Sequence, residues 1–316
     1  MNAIIRYRGG LGNQLFQHAY ALYLVSKYRH NIVVDVSWYS ASRGREADRA
    51  FDLSRSNLFS SSSYLFVKNK RISRLARRLS KFLGVCFKDS DASSICKTSN
   101  MDRLCADDPE HHKHNFALRS LVLNIISLKI SRFLFSYHEG YWQDFRIADS
   151  VKNMLLPQLV VSHPSLWYRE YAQKVSSEPG FVAVHVRRGD YLKSGAFEIL
   201  GDTYYEKALE FIAKKQPIDK IYIFSDCIDS CKELSFWAGF NVEFVHSPAN
   251  SSSSIEELFL MSNFSAIICA NSTYSAWAAW IGSAFGSTTN VVAPANWVKQ
   301  SSGLLSPILP LTWQLL

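Results

Sequence analysis

Val184-His185-Val186-Arg187-Arg188-Gly189-Asp190-Tyr191 is the stretch on which the reading of this chain turns. The apolar run 181–184 leads into it, so it reads as a buried strand that ends where the polar residues begin. In an open α/β sheet, ligands bind just beyond the carboxyl ends of the strands, and this strand delivers a His, two Arg, a Gly and an Asp there. Adjacent arginines suit a diphosphate, because each planar guanidinium can hold phosphate oxygens with paired charge-assisted hydrogen bonds. Gly189 lets the backbone approach a ligand closely. The alternative is a surface ion-pair cluster of Arg187, Arg188 and Asp190 with no ligand at all.

Downstream, the chain keeps an α/β rhythm. After a loop to Gly201, Thr203-Tyr204-Tyr205-Glu206 reads as a capping box for a helix through Lys215. Residues 221–224 form a buried strand ending in Ser225-Asp226, and 241–245 form another. Ser254-Ile255-Glu256-Glu257 reads as a second capping box, opening a helix through Asn263. A strand at 265–270 runs into Asn271-Ser272-Thr273-Tyr274-Ser275, and 290–293 is a last strand. Strands alternating with helices at this spacing imply a parallel sheet covered on both faces. The 271–275 stretch places hydroxyls and backbone donors between a strand end and a helix start, where a phosphate could sit; an ordinary Ser/Thr N-cap accounts for the same residues. Trp277 and Trp280, three apart on an apolar helix, read as core.

Upstream, residues 2–7 read as a strand that ends in Gly9-Gly10-Leu11-Gly12-Asn13-Gln14, after which Leu15, Phe16, Ala19, Leu22 and Tyr23 follow a helical spacing. This is not the dinucleotide fingerprint, because Leu15 stands where the third glycine belongs. The loop either offers amides near Gly12 and the side chains of Asn13 and Gln14 to an anion, or makes a tight turn that caps the helix. A second strand at 31–36 completes a βαβ unit.

Residues 67–88 contain Lys68, Lys70, Arg71, Arg74, Arg77, Arg78, Lys81 and Lys88 but no acid, with Ile72, Leu75, Leu79, Phe82 and Leu83 at helical spacing between them. Such a basic amphipathic helix either lies on an anionic membrane or packs its apolar face on its own domain. Residues 116–137 read as a further apolar helix. His138-Glu139-Gly140-Tyr141-Trp142-Gln143-Asp144 breaks the pattern and lines a cleft, 150–156 is helical, and Pro157 marks a domain boundary before a helix at 164–176.

Composition bounds the partners. The 316 residues suffice for two domains, and 47% apolar content excludes global disorder. The 35 basic against 27 acidic side chains give +8, which favours anionic partners without choosing among them. No signal peptide and no run of 18 apolar residues is visible, so a cytoplasmic protein, at most peripheral on a membrane, is expected. Among the six cysteines no CxxC pair occurs, and Cys96 and Cys105 near His111, His112 and His114 fit no standard zinc spacing, so reduced thiols and no metal are expected. Asp89-Ser90-Asp91 has the form of a metal-binding DxD but follows no clear buried strand, and is read as coincidence.

The blocks Gly9 to Gln17, Gly140-Tyr141-Trp142-Gln143, His185 to Tyr191, Phe224-Ser225-Asp226, Asn271 to Trp277 and Pro294-Ala295-Asn296-Trp297 together resemble the α-1,2-fucosyltransferases of glycosyltransferase family 11, bacterial enzymes of the O-antigen type. The resemblance spans both halves and lapses over roughly residues 40–135. It implies a GT-B type α/β fold: two Rossmann-like parallel-sheet domains facing a central cleft, residues 1–156 on the acceptor side with a basic helical insertion and 157–316 binding GDP-fucose. It also implies inversion at the anomeric carbon, no cofactor and no essential metal. Arg187 is then expected on the β-phosphate with Arg188 in support, and His185 near the guanosine. Gly12, Asn13 and Asp226 join the donor-binding set, as do Ser272, Thr273 and Ser275 near the diphosphate. Glu257 stands where the family commonly has Asp for the guanine edge, and Tyr274-Ser275-Ala276-Trp277 replaces the usual Phe-Ser-Trp-Trp.

Charge develops on the departing GDP during transfer, so Arg187 counts as catalytic, with Asp190 first and Glu139 second as general base. The implied acceptor is a galactose-ended, lipid-linked oligosaccharide, and if the basic helix lies on a membrane, the cations from Lys68 to Lys81 are expected to hold the enzyme to the anionic inner leaflet near it. Two rivals remain. One is an α-1,3- or α-1,6-fucosyltransferase on the same scaffold. The other is a nucleic-acid-binding protein using the basic helix, which gives no reason for phosphate-binding turns on two sheets; no nucleic acid is therefore expected as partner.

Overall fold

Among the described residues, parallel strands build two sheets, and the apolar runs within Asn2–Arg6, Phe181–Val186, Lys220–Ser225 and Ala266–Ile268 lie away from the sheet edges. The computed structural model describes residues 2–41, 50–55, 64–82, 86–88, 135–161, 163–176, 178–189, 191, 197–248, 253–299 and 306–316. It divides into two compact units, one of Met1–Arg8, Gln17–Ala41 and Ser63–Trp142, the other of Gly9–Phe16, Ser42–Ser62 and Gln143–Leu316. The division thus falls after Trp142 and not at Pro157, and the glycine loop belongs with the second unit.

In unit 1, β1 (Asn2–Arg6), β2 (Asn31–Asp35), β3 (Leu65–Val67), β4 (Cys86–Lys88) and β5 (Phe135–Glu139) pair in the order β3-β2-β1-β5-β4, every pairing parallel. Helix α1 (Leu11–Tyr28) connects β1 to β2, and α2 (Lys70–Phe82) lies between β3 and β4 in the chain. The order reverses between β1 and β5, so their carboxyl ends flank a topological switch point.

Two expectations change here. Residues 135–137 are not the end of a helix but belong to β5; residues 116–134 lie outside the described part of the chain. Hydrophobic spacing does not reveal this strand because its buried residues are polar and hydrogen-bonded. Tyr137 donates to Asp35 Oδ2 at 2.7 Å, and His138 lies between Tyr20 Oη (3.0 Å) and Ser136 Oγ (2.8 Å). Helix α2 is the second case. It buries Ser73 and Ser80 and exposes Ile72, Leu75 and Leu79, the reverse of an apolar face packed on its own domain.

Unit 2 places β6 (Phe181–Val186), β7 (Lys220–Ser225), β8 (Val242–Phe244), β9 (Ala266–Ile268), β10 (Asn290–Ala293) and β11 (Gln314–Leu315) in the order β11-β10-β9-β6-β7-β8, again parallel throughout. Counted within the unit this is the doubly wound arrangement, with its switch point between β6 and β9. Its helices are α3 (Phe145–Ser150), α4 (Lys152–Leu155), α5 (Leu166–Ser176), α6 (Asp202–Ala213), α7 (Ile228–Cys231), α8 (Ser253–Met261) and α9 (Thr273–Phe285). Val182, Val184 and Val186 of β6 pack with Ile221, Ile223, Leu209 and Ile212, and each such buried side chain stabilises the fold by about 1.5–3 kcal/mol.

Neither expected capping box forms as read. Helix α6 begins two residues early, at Asp202, with Gly201 as N-cap and no side-chain cap, and Asp202 Oδ1 accepts from Ser235 N (2.7 Å) and Phe236 N (2.9 Å). Helix α8 begins at Ser253, while Glu257 accepts from Ser247 Oγ and Glu256 from Ser165 N at 2.8 Å, anchoring the start of α5.

Glu243 on β8 accepts from Lys220 Nζ (2.6 Å), Tyr171 Oη (2.7 Å) and Lys174 Nζ (3.1 Å). Burial pushes this carboxyl up, but the three donors outweigh it and draw the pKa down to about 2. A carboxylate depressed by folding contributes stability above its unfolded pKa of about 4.3, and that contribution disappears as pH falls through the folded value. Glu243→Gln should therefore lower the melting temperature at pH 7 and flatten the acid limb of a melting-temperature profile between about pH 4.5 and 2. An unchanged acid limb would show that the cluster is not linked to folding.

Candidate active site

The carboxyl end of β6 is built around one carboxylate. Asp226, one residue beyond β7, accepts from the backbone N–H of Arg188 at 3.0 Å and lies 3.3 Å from Arg187 Nε. The two arginines differ. Arg187 keeps 20% of its side chain exposed, whereas Arg188 is buried and, among the described residues, its Nε has no hydrogen-bond partner. Arg187 is thus the cation presented outward, with Asp226 holding its orientation. A Cβ at Gly189 would collide with Asp226 Oδ2, so the glycine is what lets the carboxylate reach under the loop. The guanidinium of Arg187 lies 5.3 Å from the ring centre of Tyr191, which stacks on Phe197 at 4.1 Å and donates to Asn271 O at 3.0 Å.

Across the switch point, the turn from β9 into α9 carries the hydroxyl residues. Ser272 is the N-cap of α9 and accepts from Tyr274 N at 3.4 Å, an acceptor role that leaves its O–H able to donate. Ser275 is fully buried and donates to Ser272 O at 3.2 Å, so its hydroxyl serves the turn itself. Thr273 Oγ1 meets Asn13 Oδ1 at 3.3 Å, and the same oxygen accepts from Gln143 Nε2 at 2.8 Å. A Cβ at Gly12 would fall 2.6 Å from Thr273 Oγ1, which only glycine permits at this approach. The glycine loop and the 271–275 turn therefore touch within unit 2. Gln14 is not a donor to a ligand: it is buried and bonds Gly9 O (3.1 Å), Ala50 O (2.9 Å) and Leu53 N (3.2 Å).

His185 and Glu257 are both neighbours of Tyr274. The His185 ring lies 5.7 Å from that of Tyr274 and is buried; burial first, and Arg187 second, pull its pKa to about 3, so it is a neutral imidazole at pH 7. Its Nδ1 has no partner among the described residues. Burial pushes the Glu257 carboxyl up, opposed by the Ser247 hydroxyl.

Sequence reading misses Asn271 as a clamp: its Nδ2 donates to Glu198 O (2.7 Å) and Trp297 O (3.0 Å), joining three loops that are far apart in the chain. It also misses Gln17 in unit 1, which accepts from Arg8 N (3.0 Å) and donates to Gly140 O (2.9 Å), tying the two strand ends of that switch point. Beside them the Arg8 guanidinium covers the Tyr141 ring at 4.4 Å, and Trp142 takes a positive φ of 55°. The only sequence signal for either residue is its position inside a quoted block.

Of the two carboxylates expected as general base, Asp190 lies outside the described residues. Glu139 is held in unit 1 by Arg6 Nη1 at 2.5 Å and Arg77 Nε at 3.0 Å. Those ion pairs join β1, β5 and α2. Glu139→Gln should accordingly cost about 2–3 kcal/mol in urea unfolding, less than a fully buried pair because both arginines keep some water, while turnover changes only modestly. A large loss of turnover at unchanged stability would instead make Glu139 a catalytic group.

Cys86, Cys227, Cys231 and Cys269 are free thiols; Cys96, Cys105, the neighbouring histidines and the DxD lie outside the described residues. Among the described residues no group of His, Cys, Asp and Glu is assembled to hold a metal ion, and no helix is long and apolar enough to cross a membrane.

The model of the family described as Glycosyl transferase family 11 matches residues 3–303. The chain is 29% identical over 300 residues to the O-antigen biosynthesis glycosyltransferase WbnK of Escherichia coli, covering 92% of each chain. It is 24% identical over 311 residues to an alpha-1,2-colitosyltransferase of Escherichia coli, covering 94% of this chain and 92% of that one. Among solved structures it is similar to the alpha-1,6-fucosyltransferase NodZ soaked with GDP-fucose, with a TM-score of 0.45, 15% identity and coverage of 98% and 99%.

Proposed function

This chain belongs to glycosyltransferase family 11 and is a glycosyltransferase, and from that premise we propose that it transfers L-fucose from GDP-β-L-fucose, with inversion, to the 2-hydroxyl of a terminal galactose. The observation that carries the reading is the pairing, at one switch point, of an outward arginine oriented by Asp226 with a glycine-tight turn of hydroxyl residues. That set is suited to a diphosphate leaving group.

In this reading Arg187 holds the β-phosphate and Arg188 adds buried positive charge beneath it. The Ser272 hydroxyl and the backbone N–H of Thr273, at the start of α9, donate to phosphate oxygens, while Gly12, Asn13 and the Thr273 hydroxyl back the turn and Ser275 shapes it. His185, neutral, and Glu257 face the guanosine. As the glycosidic bond breaks, negative charge grows on the GDP oxygens and the fixed guanidinium stabilises it most where the barrier is highest. The acceptor hydroxyl loses its proton as it attacks, and Asp190 is the first candidate to take it, since both oxygens of Glu139 already face guanidiniums. The same set supports transfer without a metal.

The acceptor in this reading is a lipid-linked oligosaccharide in the bacterial cytoplasm, and its O-antigen type is supported by the name of the 29% identical relative. A colitosyl donor is the second reading, favoured by the name of the 24% identical one.

The test is incubation of purified protein with GDP-fucose, a colitosyl donor and UDP-sugars, each with galactose-ended acceptors, followed by linkage analysis. A new α-1,2-fucosyl-galactose formed equally in excess EDTA supports the proposal. An α-1,3 or α-1,6 linkage, a preference for the colitosyl donor, or loss in EDTA restored by manganese would each replace the corresponding part. Nearly normal turnover by Asp190→Asn would remove that residue as base.

A further inference from the structure

Helix α2 exposes what a surface helix ordinarily hides. Its inward face is small and polar: Ser73 donates to Asp35 Oδ2 at 2.6 Å, Ser80 is fully buried, and Arg77 is paired with Glu139 at 3.0 Å. These residues recur at i, i+4 and i+7, so one stripe of the helix anchors it to unit 1 by polar contacts. The opposite stripe carries Ile72 (56% exposed), Leu75 (58%) and Leu79 (45%), followed by Phe82, and the strand leading into the helix exposes Leu65 and Phe66. A row of Arg71, Arg74, Arg78 and Lys81, all exposed, runs one position before the apolar row and therefore along its flank. The helix contains no acid.

We infer that this outward face of α2 docks on an anionic lipid bilayer, with Ile72, Leu75 and Leu79 entering the acyl boundary and the arginine row lying at the headgroups. An aliphatic stripe with a flanking cation row, on a helix that is otherwise predominantly polar, is what interfacial binding needs, since neither acyl burial nor headgroup attraction holds a protein well alone. A nucleic acid would use the cations and leave the aliphatic row in water. A second copy of the chain would set one arginine row against another. The inference rests on unit 1 alone and holds whichever sugar the enzyme transfers.

The test uses the full chain and vesicles of three parts phosphatidylcholine to one part phosphatidylglycerol, against phosphatidylcholine alone. Wild type should co-sediment with the anionic vesicles only. The triple change Ile72→Ser, Leu75→Ser, Leu79→Ser and the triple change Arg71→Glu, Arg74→Glu, Arg78→Glu should each weaken binding about tenfold or more. Because all six side chains are exposed, melting temperatures should stay near wild type. Leu75→Trp reports penetration directly and should be quenched by brominated acyl chains. Absence of wild-type binding, equal binding by the serine variant, or an unquenched Trp would overturn the inference; RNA binding that survives the serine changes, with no vesicle binding, would assign the face to nucleic acid instead.

Discussion

Arg187→Ala should lower kcat/KM for sugar transfer by about 10²–10³-fold, the effect of removing one fixed donor from a developing anion. Most of the loss should fall on kcat, because the leaving diphosphate gains charge between the bound state and the transition state. The fold should survive. Arg187 is part-exposed, and an ion pair such as the one it makes with Asp226 at 3.3 Å contributes about 1 kcal/mol or less. Asp226 keeps its bond from the Arg188 amide at 3.0 Å when the side chain is gone. Arg187→Lys separates charge from geometry: it keeps the cation but loses the planar fork, so its rate should lie between wild type and alanine. Initial rates on GDP-fucose, together with calorimetric binding of GDP to the variants, check the result. Wild-type rates in folded Arg187→Ala would remove the guanidinium from the mechanism and leave Arg188 as the candidate.

The strand ends that carry the candidate site are legible in the sequence because their signal is local. The apolar run into β6 and the polar residues after it lie within a dozen positions, and so do β9 and its hydroxyl turn. Which arginine faces outward is not legible, since it depends on Asp226 reaching across from β7. Asn271 reads as a possible phosphate neighbour, yet its amide is consumed by Glu198 and Trp297, partners set by tertiary structure alone. In unit 1 the difficulty is of another kind. Strands β3 and β4 are three residues long, too short for an alternation to show, and β5 buries Ser136, Tyr137 and His138 on a polar network that hydrophobic periodicity cannot reveal. The capping boxes fail because both helices start ahead of them, at Asp202 and Ser253, and Glu257 takes the Ser247 hydroxyl in place of a local amide.

Trp277→Ala carries the largest expected loss of stability, about 3–5 kcal/mol by urea unfolding. The side chain is fully buried and meets Phe16 at 5.0 Å, Phe145 at 5.1 Å and Trp280 at 5.2 Å, with Phe145 reaching on to Trp313 at 5.6 Å. Four separate segments of unit 2 thus share one aromatic cluster, and alanine would leave a void that none of them can fill without moving. Trp277→Phe should cost well under half as much. It keeps most of the ring volume, and Trp277 Nε1 has no hydrogen-bond partner among the described residues, so phenylalanine removes an unsatisfied buried donor. The cluster also bears on catalysis. Phe16 follows Asn13 by about one helical turn and Trp277 follows Thr273 likewise, so the ring contact holds the starts of α1 and α9 where Gly12 and Thr273 touch. Trp277→Ala should therefore raise KM for the donor in the fraction that remains folded, whereas Trp277→Phe should leave it near wild type. Equal KM values in the two variants would mean that the glycine loop and the hydroxyl turn keep their contact without the ring beneath them.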